Sequence, residues 1–147
     1  MEIAHTLLLF IPALTYLAWR PSARTDAIGE LSGPGTYKVD IVGESNCQDA
    51  LAKITGGKTP DGVNMFVTAT LVVEDSNPYD PMAVRIDIAG HTVGYLSRED
   101  AWQYRQRLEK SGHPKLTALC DAVIRGGWDR GRGDTGHFGV KLDLPSD

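Results

Sequence analysis

Apolar and polar residues alternate along 63–73, where Val63, Met65, Val67, Ala69, Leu71 and Val73 fall on one face of an extended chain. The same period of two returns in 83–88, with Val84, Ile86 and Ile88 on one side and Arg85 and Asp87 on the other. It returns again in 137–144 through Phe138, Val140, Leu142 and Leu144. Further runs at 36–42, 91–96 and 115–125 complete a set of short predicted strands. Ala89-Gly90 is the length of a tight two-residue hairpin turn. Gly94, inside the next strand, marks a bulge, a bend or a close backbone approach.

Two segments change to the helical period. Cys47, Ala50, Leu51 and Ile54 recur at i, i+3, i+4 and i+7 behind Ser45-x-x-Gln48, a pattern that predicts a capping box, and Gly56-Gly57 stops the run. Ser97-x-x-Asp100 opens a second helix to about Lys110, with Ala101, Tyr104 and Leu108 as its buried stripe and Gly112 and Pro114 beyond its end. The order β-α-β-β-β-α-β-β predicts a mainly β, α+β fold with two helices: a small β-barrel related to the OB-fold.

Residues 4–19 break this pattern. They are apolar, and charge is absent between Glu2 and Arg20. The run is marginal for a bilayer core, and Pro12 interrupts it. Arg20 and Arg24 follow, which by the positive-inside tendency predicts an N-out, C-in anchor; the alternatives are an amphipathic or core-docked helix, or a disordered apolar tail. Glu2, with no Lys or Arg before the run, argues against an export signal. Either reading keeps the main domain cytoplasmic. Residues 20–35, punctuated by Pro, Ser and Gly, read as a linker, and 36–147 as the domain.

The formal charge of −4 excludes a broad basic surface, so any nucleic-acid contact must be local. Cys47 and Cys120 are far apart and lack zinc-site spacing, which favours two core thiols in a reducing compartment. His5, His91, His113 and His137 show no ligand spacing, and no nucleophile elbow, P-loop or dinucleotide fingerprint is present. Glu74, Asp75 and Asp80 offer oxygen ligands without the companions a metal nuclease needs. The chain reads as a non-enzyme without cofactor or metal.

The chemistry concentrates in 74–81, where Pro78 and Pro81 stiffen a polar loop that presents Tyr79 and Asp80. A tyrosine ring can stack on a terminal base, worth about 1–3 kcal/mol per base. A carboxylate can accept a hydrogen bond from a terminal hydroxyl and repels a terminal phosphate. The competing reading is structural: Asn77 and Asp80 cap backbone amides while Tyr79 packs on the barrel end. A second candidate is 125–132, in which Arg125, Arg130 and Arg132 interleave with Gly and Trp128, a composition suited to tracking a single strand; the alternative is a surface hairpin.

The run Asn77-Pro78-Tyr79-Asp80-Pro81-Met82-Ala83-Val84, followed by Val93-Gly94-Tyr95-Leu96, resembles the signature of the HIRAN domain. Such domains occur alone or attached to fork-remodelling DNA translocases, and well-understood members capture single-stranded DNA at a 3′-hydroxyl end. The resemblance extends more loosely over 37–144. It implies an OB-related barrel and a DNA-end pocket built on Tyr79, Asp80 and Asn77. After the first strand, DNA-binding relatives carry a basic residue and an aromatic where this chain has Ser45 and Asn46, and Met82 stands where Asn is common. Arg98 occupies a position where relatives can be basic. The resulting expectation is a module that binds single-stranded DNA ends, with a protein-interaction module on the same barrel as the alternative.

Overall fold

The computed structural model describes residues 28–146. Its elements are β1 (Ile28–Leu31), β2 (Val39–Val42), a 3₁₀ turn (Glu44–Asn46), α1 (Gln48–Thr55), β3 (Val63–Val73), β4 (Val84–Ile88), β5 (His91–Leu96), α2 (Arg98–Lys110), β6 (Thr117–Gly126) and β7 (Phe138–Asp143). The sheet runs β1-β6-β3-β4-β5-β2-β7, and β6 also pairs with β7. That last pairing closes six antiparallel strands into an OB-like barrel, with β1 added outside the closure.

Closure depends on stagger. A row followed from Val72 through Arg85, Tyr95 and Val42 returns to β3 near Asn64, so the strands are steeply tilted. Gly94 sits where β5 crosses closest to β2: a Cβ there would collide with the Val42 carbonyl oxygen and the Ile41 side chain. The β4–β5 pairing shifts register between Ile86 and Asp87, Ile86 being the partner of Gly94. At the hairpin, Ala89 and Gly90 both take positive φ, as the predicted tight turn demands.

The alternating residues point inward as predicted. Ala69, Leu71, Val84, Ile86, Ile88, Val140 and Leu142 belong to the core, and Val63, Met65, Val67 and Val73 pack against it. Leu51 of α1 and Ala101, Tyr104 and Leu108 of α2 join the same cluster. Ser97 caps α2, its Oγ accepting from the Asp100 amide at 3.1 Å.

Three sequence expectations need correction. Residues 28–31, assigned to a linker, form β1, which pairs in parallel with Thr117 to Cys120. Ser45-x-x-Gln48 is not a capping box. Cys47 is the N-cap of α1 and has no side-chain cap bond, while Gln48 clasps β7: its Nε2 donates to the Phe138 carbonyl at 3.0 Å and its Oε1 accepts the Phe138 amide at 2.8 Å. Cys47 therefore stands at the helix entrance, half-buried, instead of on its core face. The apolar stretch 4–19, with its expected membrane anchor, lies outside the described residues. No helix among the described residues is long and apolar enough to cross a membrane.

The two thiols should differ in reactivity. Cys120 is 3% exposed, and burial pushes its pKa up to about 12, with Asp121 and Asp143 adding to the effect. Cys47 is raised by partial burial and then by Glu44. A neutral-pH thiol reagent is expected to modify Cys47 in the folded protein and Cys120 only after unfolding. Native modification of Cys120 at a matching rate would contradict this packing.

Candidate nucleic-acid interface

The loop between β3 and β4 is closed at its neck by the Glu74 amide donating to the Ala83 carbonyl at 3.0 Å. Inside it, Asn77 acts as a bracket. Its Oδ1 accepts the amides of Tyr79 at 2.9 Å and Asp80 at 3.0 Å, and its Nδ2 donates to Glu74 Oε1 at 2.8 Å. Asp80 Oδ1 accepts the Met82 amide at 2.9 Å. Asn and Asp thus cap local amides, as such residues do in turns. The other half of that structural reading does not hold: Tyr79 does not pack on the barrel end, and its residue is 87% exposed.

Two arginines brace the loop from outside. Arg105, on the buried face of α2, donates through Nε to the Met82 carbonyl at 3.1 Å and through Nη2 to those of Pro81 at 3.0 Å and Ala83 at 3.3 Å. Its Nη1 meets Asp75 Oδ1 at 2.6 Å. Arg85 on β4 meets Glu74 at 2.9 Å and Asp87 at 3.0 Å. The Tyr95 hydroxyl on β5 donates to Glu74 at 3.0 Å. Burial alone would raise the Glu74 pKa, but the hydrogen bonds from Asn77, Arg85 and Tyr95 outweigh it and hold the carboxyl below its ordinary value. Hydrogen bonds from Arg105 and then Lys115 likewise lower Asp75. Glu74 and Asp75, weighed from sequence as oxygen ligands for a cation, instead face guanidinium groups.

None of these bracing roles was assigned from the sequence. Arg105 carried a usable signal: it lies four residues after Ala101 and one after Tyr104, on the apolar stripe. A charged residue there needs a partner, because arginine is almost never buried alone.

The remaining candidates do not converge on Tyr79. Arg98 is exposed at the start of α2, two helical turns or about 10 Å from the Arg105 clamp. Ser45 and Asn46 occupy the 3₁₀ turn after β2, and β5 lies between β2 and β4, so two strand spacings, about 10 Å, intervene. Trp128, Arg130 and Arg132 follow Gly126, which pairs with Val63 at the start of β3. The Tyr79 loop leaves the other end of that 11-residue strand, so about 33 Å of extended chain separates the two.

The arginine loop is itself a compact unit. Trp128 Nε1 donates to Asp134 at 3.1 Å, and the Arg130 guanidinium lies 5.7 Å from the Trp128 ring centre and 3.5 Å from Asp134. Thr59 bridges to Trp128, and Lys58 donates to the Thr135 hydroxyl at 3.0 Å. Arg132 is exposed at φ 54°, a left-handed conformation uncommon for a residue with a side chain.

The class defined by this architecture is a small OB-like α+β barrel with a braced, tyrosine-bearing loop. No family model, no curated protein and no solved structure matches the chain.

Proposed function

We propose that this barrel is a non-catalytic module that binds single-stranded DNA ends, with Tyr79 and Asp80 at the contact point. One observation carries the reading: a tyrosine 87% exposed is held on a loop whose backbone is bonded from within by Asn77 and from outside by Arg105. Exposing an aromatic ring on a stiff support suits stacking, because little is lost in ordering it. Asp80 commits Oδ1 to the Met82 amide, and its Oδ2 has no hydrogen-bond partner among the described residues. That oxygen is available to a terminal hydroxyl. Asn77 contributes by shaping the loop. The resemblance to HIRAN domains supports the same assignment.

Fluorescence anisotropy with short strands ending in a 3′-hydroxyl or a 3′-phosphate tests it. The hydroxyl-ended strand is expected to bind more tightly, Asp80→Asn to narrow the difference, and Tyr79→Ala to cost about 1–3 kcal/mol. Equal affinity of the wild type for both ends would remove the end-recognition role.

A second reading is a protein-interaction module on the same barrel. It is favoured by the ion pairs around Tyr79: Arg85, Arg105 and Lys115 all face carboxylates, which leaves little local positive charge for phosphates. Absence of salt-dependent DNA binding would select it.

A further inference from the structure

On the side of α2 away from the Tyr79 loop's attachment lies an open groove of about 900 Å³. Its walls are α2, the chain from β1 to β2, and the C-terminal residues. Its apolar lining includes Leu31, Val39, Leu108, Leu116 and Leu144. Arg107 fastens the C-terminal wall by donating to the Pro145 carbonyl at 3.0 Å. The volume is at the upper end of the range for small-ligand sites, and the apolar side chains that line so open a groove leave substantial burial unrealised.

We infer that residues 4–19 of the same chain occupy this groove. Three observations select that occupant. The first is where the chain enters. Ile28 pairs with Thr117, the neighbour of the groove residue Leu116, and Leu31 at the end of β1 is itself part of the lining. The chain preceding β1 therefore arrives at the groove's rim. The second is tether length. Residues 20–27 reach at most about 28 Å when extended, enough to turn back along the groove and short enough to keep the apolar run at an effective concentration in the millimolar range. The third is the run itself. It is uncharged and carries leucines at 7, 8, 9, 14 and 17 with Phe10, Tyr16 and Trp19. It is shorter than the roughly 20 apolar residues that a bilayer core calls for, and Pro12 interrupts it. Short apolar pieces fit a groove better than a membrane. This docking stands independently of the DNA-binding proposal, since the groove does not include Tyr79 or Asp80.

The test uses the full chain with a benzophenone amino acid placed at Gln103 or, separately, at Lys38. Both are exposed groove residues whose replacement leaves the core intact. Irradiation is expected to give monomeric products in which either position is joined to a peptide from residues 4–19. Pairing Leu8→Asp with Leu14→Asp should reduce that product about tenfold while circular dichroism of the barrel stays unchanged. Cross-links to a second copy, or no product with residues 4–19 from either position, would overturn the assignment. So would sedimentation of the wild-type chain with phosphatidylcholine–phosphatidylglycerol vesicles through a high-salt wash, which would place the segment in lipid.

Discussion

Arg105→Leu is expected to lower the unfolding free energy by about 3 kcal/mol and to loosen the Tyr79 loop. The side chain is 10% exposed and makes three hydrogen bonds to carbonyls besides anchoring Asp75. Leucine keeps the packing on α2 but leaves the carbonyls of Pro81 and Met82 without their donor, while the Ala83 carbonyl keeps only the Glu74 amide. Unpaired buried acceptors cost about 1–3 kcal/mol each, partly relieved where water can reach them. The ion pair with Asp75 contributes less, because that carboxylate is half exposed. Arg105→Lys should recover only a fraction: an ammonium is a point charge and cannot serve three carbonyls and a carboxylate from one planar fork. Urea unfolding reads the result as a lower midpoint at unchanged slope. DNA affinity, if Tyr79 is the contact, should fall in the same variant without any change to the ring itself. A stability within about 0.5 kcal/mol of wild type would show that α2 does not hold the loop.

Asp143→Ala should have an effect of similar size, about 3 kcal/mol, at the opposite side of the fold. Asp143 is 3% exposed at the end of β7. Its carboxylate accepts the amides of Gly35 at 2.9 Å, Thr36 at 3.1 Å and Tyr37 at 3.3 Å, gathering the crossing from β1 to β2 around one charge. Gly33 lies so close that a Cβ there would collide with Asp143. Alanine removes the acceptor for all three donors. Asparagine keeps one acceptor oxygen but turns an amide towards the donors, so Asp143→Asn should lose about half as much. Hydrogen exchange gives the sharper reading: the amides of Gly35, Thr36 and Tyr37 should lose protection in Asp143→Ala while those of β3 keep theirs relative to global stability. Unchanged protection at these three positions would mean that the crossing is held by something else. Tyr37 should also drift from its edge-to-face contact with Phe66, now at a centroid distance of 5.3 Å.

Much of this fold follows from local pattern. The alternation of 63–73 and 138–143 sets which side chains enter the barrel, and no partner strand is needed to see it, because the period belongs to the extended chain itself. The Ala89-Gly90 turn and the Ser97 cap are equally local, each settled within four residues. The rigid loop with Tyr79 and Asp80 was visible in its two prolines and its Asn. Other features depend on what lies across the sheet. Ile28–Leu31 has no alternation to announce a strand; it becomes one because β6 runs past the end of β7 and leaves Thr117 to Cys120 with a free edge. Gln48 spaced correctly for a cap bonds to Phe138 instead, a residue 90 positions away. Arg105 is a helix residue in sequence and a loop clamp in space. The arginines after Gly126 share a composition with nucleic-acid contacts, yet the length of β3 sets them apart from Tyr79. Hydrophobic period and turn chemistry act over a few residues and so are written in the sequence. Edge pairing, buried ion pairs and the distance between two loops arise only once the barrel has closed, since each depends on residues that register brings together.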